Sequence, residues 1–291
     1  MTLIIDSFLD IAGDYDAAFV DLWGCMHDGV HAHASAVAAM RDYRSAGGRV
    51  ILVTNAPRPW DSVERQIERL GIPTDSWDAI ATSGDSARAA MFEGVVGQRV
   101  YFIGEDHDAS FFSPMRLLDD PVEITQVPLS EAEGIVCCGP FDPHAHPDTY
   151  RPTFLAAKQR RLKLLCANPD IVVDRGDSRE WCAGALARLY TEMGGQSLYF
   201  GKPHPPIYDL ARRRLAQVDP NADPSRFICI GDGIRTDILG AQQEDLDSLF
   251  ITGGLAAAET KTDKDRPDPE ALDRYLAAEM VSPTFAAGGL R

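Results

Sequence analysis

An α/β architecture with a parallel sheet follows from three properties of this chain. Apolar runs of three to six residues alternate with longer segments of helical period. Several runs end in a polar residue, where parallel strands present groups to a ligand. Glycines close several of the helical segments.

Ala18–Asp21 reads as the first strand. Ser35–Ala46 reads as a helix, with Ser35 as its N-cap and Gly47-Gly48 closing it. Val50–Thr54 is a strand, Ser62–Leu70 a helix stopped by Gly71, Ala79–Thr82 a strand, and Ser86–Phe92 a helix. A second set follows: strands at Val100–Ile103 and Gly134–Cys138, a helix over Tyr150–Arg160, a strand at Leu162–Ala167 and a helix over Glu180–Met193. Leu198–Phe200, a helix over Pro206–Ala216, Phe227–Ile230 and Ser248–Ile251 complete the pattern. Glu259–Pro269, crowded with Lys, Asp and Pro, reads as a solvated loop before a last helix at Glu270–Ala278.

The 291 residues, 45% hydrophobic and 25% charged, have the composition of a soluble globular protein of one large or two ordinary domains. A net charge of −16 argues against nucleic acid or an anionic membrane as partner, since both would be repelled over most of the surface. The six cysteines show no CxxC pair and no zinc spacing, so reduced thiols packed in a core are expected. His144 and His146 lie in a Pro-containing loop and also match no zinc spacing. With no signal-like N-terminus and no run of apolar residues long enough to span a bilayer, a cytoplasmic location is the expectation.

Four polar residues end or follow apolar strands: Asp21, Thr54, Lys202 and Asp232. A carboxylate, a hydroxyl, an ammonium and a second carboxylate are the groups that phosphoryl transfer through an aspartyl-phosphate needs. Asp21 would attack phosphorus. Thr54 would hydrogen-bond a non-bridging oxygen, and Lys202 would neutralise charge. Asp232 would hold Mg²⁺, without which carboxylates beside a phosphate repel it and one another. Taken singly each has a plain structural reading: a strand-end acid, a β-branched strand residue, a surface lysine, a turn aspartate.

Asp21-Leu22-Trp23-Gly24, Val53-Thr54-Asn55, Gly201-Lys202-Pro203 and Gly231-Asp232-Gly233-Ile234-Arg235-Thr236-Asp237 together resemble the four ordered motifs of the haloacid dehalogenase (HAD) superfamily. The resemblance is closest to its subfamily IIA, the NagD-like and p-nitrophenylphosphatase-like hydrolases. It implies a Rossmann-like core over 1–86 and 196–291 and a large α/β cap over 87–195, for which the 148 residues from Thr54 to Lys202 leave room. Asn168-Pro169-Asp170 and the helix around Gly184-Ala185-Leu186 also resemble that cap. Also implied are Thr54, Asn55 and Lys202 on the phosphate, and Asp21, the Trp23 backbone carbonyl and Asp232 on Mg²⁺, with Asp237 supporting the metal site. The expected partner is a small phosphorylated metabolite, chosen by cap residues such as Asp174, Arg175 and Glu180; self-association into a homo-oligomer is left open.

Trp23 departs from the family. Phosphatases of the superfamily carry there an aspartate that protonates the leaving oxygen and then activates water. An indole does neither. His27, close in sequence, is a candidate substitute acid/base. Two alternatives therefore stand beside a phosphatase: a non-catalytic phosphometabolite-binding or regulatory protein, and a phosphotransferase.

Overall fold

The computed structural model describes residues 2–113, 120–175, 178–263 and 265–291. In chain order the strands are β1 (Leu3–Ile4), β2 (Ala17–Val20), β3 (Arg49–Thr54), β4 (Ala79–Thr82), β5 (Arg99–Ile103), β6 (Thr125–Gln126) and β7 (Gly134–Cys137). There follow β8 (Lys163–Cys166), β9 (Val172–Arg175), β10 (Ser178–Trp181), β11 (Gln196–Tyr199), β12 (Phe227–Gly231), β13 (Asp247–Ile251) and β14 (Phe285–Ala287). The helices are α1 (Ala34–Ser45), α2 (Trp60–Leu70), α3 (Ser83–Phe92), α4 (Arg151–Gln159), α5 (Ala183–Glu192), α6 (Pro205–Val218), α7 (Leu239–Gln243) and α8 (Pro269–Glu279).

The chain divides into two compact units, Met1–Thr54 with Glu64–Ala81 and Tyr208–Arg291, and Asn55–Val63 with Thr82–Ile207. The first holds a seven-stranded sheet in the order β1-β14-β13-β12-β2-β3-β4. Its pairs from β1–β14 through β2–β3 run parallel. Every residue of β2 and β12 is buried, as expected of central strands covered on both faces. On one side Ile234, Ile238, Phe250 and Ala286 pack with Leu272 and Leu276 of α8.

The second unit holds a five-stranded parallel sheet, β11-β8-β7-β5-β6. Side chains alternate faces along a strand, and here both faces are apolar. Ile135, Cys137, Leu164 and Cys166 meet Phe154 of α4 and Leu186 and Tyr190 of α5. Val136, Cys138, Leu165 and Ala167 meet Ala87, Ala90 and Met91 of α3. β11 (Gln196–Tyr199) joins this sheet by pairing with β8. All six cysteines are buried free thiols, as their spacing predicts.

Several boundaries differ from the sequence reading. α1 starts at Ala34 with His33 as N-cap, not at Ser35. His33 N–H donates to Met26 O at 2.8 Å and its own carbonyl accepts from Val37, so long-range anchoring overrides the better capping side chain. Gly47-Gly48 does close α1: Gly48 N–H returns to Tyr43 O at 3.1 Å, with Gly47 at φ +106°. α3 starts at Ser83, because the Thr82 side chain accepts from Asp85 N–H at 2.9 Å and caps it. Glu180 and Trp181 are not helical. They lie in β10, antiparallel to β9, and α5 begins only after Cys182. The β-branched Ile171–Val173 run ahead of a Gly-containing stretch carried the hairpin signal.

Candidate active site

Three of the expected residues come together in the first unit. β12, β2 and β3 are neighbours, with Ile230 and Leu52 both paired to Val20. Asp21 follows β2 and donates its N–H to Ile230 O at 2.8 Å, Thr54 is the last residue of β3, and Asp232 follows β12. All three are buried and stand at the carboxyl ends of adjacent parallel strands, where open α/β sheets collect ligands.

The Asp21 and Asp232 carboxylates have an unexpected companion. One oxygen from each and the Cys25 Sγ all lie within 4.8 Å of one another, the one such cluster of His, Cys, Asp or Glu among the described residues. Cys25, read from sequence only as a core thiol, is 2% exposed.

Asp232 is walled by backbone. A Cβ on Gly24 would stand 2.1 Å from its Oδ2, and so would a Cβ on Gly254. Leu255 N–H donates to the same oxygen at 3.2 Å. Gly24 also sits at φ +79°, in the left-handed region, so it meets both a conformational and a spatial demand. Two buried carboxylates in a glycine cradle fit a small divalent cation, which offsets their repulsion and their desolvation.

Asp237 supports this arrangement from behind. It is buried, its Oδ2 accepts Gly233 N–H at 3.0 Å, and a Cβ on Gly231 would stand 2.2 Å from its Cγ. The carboxylate thereby braces the turn that carries Asp232. Ile234–Ile238 forms a π-helical turn, a feature frequent at functional sites.

In the second unit, Lys202 follows β11 and is buried. Asn55 holds its main chain on both sides: Lys202 N–H donates to Asn55 Oδ1 at 2.7 Å, and Asn55 Nδ2 donates to Lys202 O at 3.2 Å. The other Nδ2 hydrogen goes to Asp170 Oδ1 at 2.8 Å. Both amide hydrogens of Asn55 are thus used within the protein, so its side chain positions Lys202 and has no hydrogen left for a phosphate oxygen. Gly201, next to Lys202, is pressed on by Ser83, whose Oγ would stand 2.6 Å from a Cβ there.

Trp23 lies in a loop that closes on itself, with Met26 N–H donating to Leu22 O at 2.8 Å and Gly24 N–H to His27 O at 2.9 Å. Its half-buried indole meets the His27 ring edge-on at 5.3 Å and covers Gly29, where a Cβ would stand 2.4 Å from Cη2. His27, expected as a substitute acid/base, is 3% exposed, and its Nδ1 accepts Gly29 N–H at 3.0 Å. Burial, with His33 adding to it, lowers its pKa to about 4, against the opposing pull of Asp28. A ring that is neutral near pH 7 has no labile proton to give. His27 is a structural partner of the loop, not the missing acid.

Of the cap residues, Glu180 lies on β10, while the side chains of Asp174 and Arg175 lie outside the described residues. His146 caps the turn at Pro147–Tyr150, its Nδ1 accepting from Asp148 N–H at 3.2 Å. No helix among the described residues is long and apolar enough to cross a membrane.

Comparison with known proteins agrees with the motif order. A profile of haloacid dehalogenase-like hydrolases matches residues 18–115, and a second profile, HAD-hydrolase-like, matches 199–277. A crystal structure of a hydrolase of the haloacid dehalogenase-like family from Brucella suis is 37% identical, with a TM-score of 0.85 over 99% of this chain and 100% of that one. The chain belongs to the haloacid dehalogenase-like hydrolase family. Within it, a D-glycerol 3-phosphate phosphatase of Mycobacterium tuberculosis is 25% identical over 97% of this chain and 71% of its own length. A glycerol phosphate phosphatase structure from the same organism, in complex with calcium, is 22% identical with a TM-score of 0.64, covering 84% of this chain and 68% of that one.

Proposed function

We propose that this haloacid dehalogenase-like protein, of the NagD-like subfamily IIA, is a Mg²⁺-dependent phosphatase of a small phosphomonoester, acting through a phosphorylated Asp21. The observation that carries the reading is the gathering of Asp21, Thr54 and Asp232 at the ends of three adjacent strands, with two carboxylates in a backbone cradle. Mg²⁺, held by Asp21, Asp232 and the Trp23 carbonyl, would offset the negative charge of phosphate and carboxylates. A Asp21 Oδ attacks phosphorus in line with the ester oxygen, Thr54 Oγ1 donates to a non-bridging oxygen, and Lys202 Nζ balances charge on the transferring group. Water then attacks the phosphorus of phospho-Asp21 and frees phosphate. Asn55 and Asp170 hold Lys202, and Asp237 holds the Asp232 turn. In this reading 1–86 and 196–291 form the catalytic core and 87–195 the cap that chooses the substrate. The glycerol phosphate substrate named for the Mycobacterium tuberculosis phosphatase matches, and the calcium in the structure among them, support a small phosphate ester and a divalent cation.

Trp23 sets the leaving-group demand. With an indole at that place and a neutral His27 beneath it, the ester oxygen leaves without a positioned acid, an effect of about 10²- to 10⁴-fold in rate. Esters with acidic alcohols, such as aryl phosphates, depend least on that acid. The same packing of Trp23 favours one second reading, a phosphometabolite-binding protein on the family fold. The test is phosphate release over a panel of alkyl and aryl phosphates, with and without Mg²⁺, beside Asp21→Asn. Mg²⁺-dependent release that Asp21→Asn abolishes is expected; phosphate-ester binding without release would replace the phosphatase reading by the second.

A further inference from the structure

The metal site proposed above rests on oxygen donors, yet a sulfur stands among them. Cys25 Sγ lies within 4.8 Å of an oxygen of Asp21 and of one of Asp232. Its position is fixed from both sides: Gly24 precedes it at φ +79° with its Cα face against Asp232, and Met26 N–H is held by Leu22 O at 2.8 Å. Thiol and carboxylates are all buried, so a cation entering between them meets sulfur and oxygen together.

Donor chemistry then decides which cations gain. Mg²⁺ is a hard ion that prefers oxygen and water, and it derives little from a thiol. Zn²⁺ and Cd²⁺ are thiophilic, and a thiolate among carboxylates raises their affinity selectively. We infer that Cys25 makes the Asp21–Asp232 centre a thiophilic-metal site, in which Zn²⁺ or Cd²⁺ binds through Cys25 Sγ as well as the carboxylates and displaces Mg²⁺. On binding, the S–H bond breaks, a sulfur lone pair forms the S–metal bond, and the proton passes to the buffer. The inference rests on the proposed metal centre, and its own signature is sulfur.

The experiment is titration of the full chain with Cd²⁺ and, separately, Mg²⁺, reading calorimetric affinity, proton release and the ultraviolet thiolate-to-cadmium charge-transfer band. Wild type is compared with Cys25→Ser, Cys25→Val and Asp232→Asn, each checked by thermal unfolding. The other five cysteines are present in every variant and serve as a common background. Wild type is expected to show the band and to release one more proton with Cd²⁺ than with Mg²⁺. Both Cys25 variants should lose that band and bind Cd²⁺ more weakly, on the scale of the about 10- to 100-fold that losing one partner of a metal site costs, with Mg²⁺ affinity unchanged. Asp232→Asn should weaken both ions. Cd²⁺ binding without a band, or the same band and affinity in Cys25→Ser, overturns the sulfur ligand while leaving the Mg²⁺ centre standing. Failure of wild type to bind either ion overturns both.

Discussion

Replacing three glycines by alanine separates backbone strain from crowding of the Asp232 carboxylate. Gly47 lies at φ +106° with nothing within 4 Å of a new Cβ, so Gly47→Ala meets conformational strain alone. Gly254 has no left-handed φ, but its Cβ would stand 2.1 Å from Asp232 Oδ2, so Gly254→Ala meets crowding alone. Gly24 combines φ +79° with the same 2.1 Å approach. The strain is about 1–2 kcal/mol for a residue forced into the left-handed region. To relieve the crowding, Asp232 must retreat by roughly 1 Å, and a displacement of that size at a reacting centre lowers turnover by about 10²-fold. Chemical denaturation gives the stability of each variant, and Mg²⁺ titration with phosphate release gives the state of the site. Gly47→Ala should be less stable with metal affinity and turnover intact. Gly254→Ala should lose turnover and Mg²⁺ affinity, and Gly24→Ala should lose both stability and site. Wild-type Mg²⁺ affinity in Gly254→Ala would refute the backbone cradle.

Three further outcomes are expected. Asn55→Ala removes the acceptor of Lys202 N–H and the donor to Lys202 O, so it should destabilise by about 1–3 kcal/mol and lower kcat in the phosphate-release assay. Asp85→Ala removes the carboxylate that the buried Arg88 Nη1 meets at 3.0 Å, leaving the guanidinium, among the described residues, only the carbonyls of Phe111 and Ser113, and should cost about 3–5 kcal/mol by denaturation; Asp85→Leu with Arg88→Met should recover part of it. His27 has a folded pKa of about 4 against an ordinary value of 6.5, so its stabilising effect is complete above pH 6.5 and is lost as pH falls through 4. His27→Asn, which keeps an acceptor for Gly29 N–H, should flatten the loss of stability over that window by roughly 3 kcal/mol; an unchanged acid limb would contradict a buried neutral ring.

Much of the site was legible because its residues end strands that the apolar pattern marks out. Asp21, Thr54 and Asp232 each follow a short run that is buried almost throughout, and parallel strands bring such ends together without further information. What escaped were contacts between residues far apart in sequence. Nothing around Gly254 or Leu255 announces that their backbone closes on Asp232, and nothing at Asn55 says that its amide is spent on Lys202 and Asp170. Cys25 reads as one more buried thiol until its sulfur is placed beside two carboxylates. The helix expected from Glu180 failed for a local reason: its first residues pair with Val172 and Val173, and strand pairing outweighs helical propensity.

The contact between Ser83 and Gly201 has a meaning for how this architecture diversifies. Both residues belong to the second unit, one near the start and one near the end of its Thr82–Ile207 stretch, and the ends therefore meet. A segment whose ends already touch is a closed ring. Each doubling of a flexible insertion adds only about 0.6 kcal/mol of closure entropy, so loops between position 83 and position 201 can be lengthened at small penalty while the sheet and its apolar faces stay packed. What such lengthening must preserve is the clasp: a glycine at 201, where a Cβ would stand 2.4 Å from Asn55 Oδ1 and 2.6 Å from Ser83 Oγ.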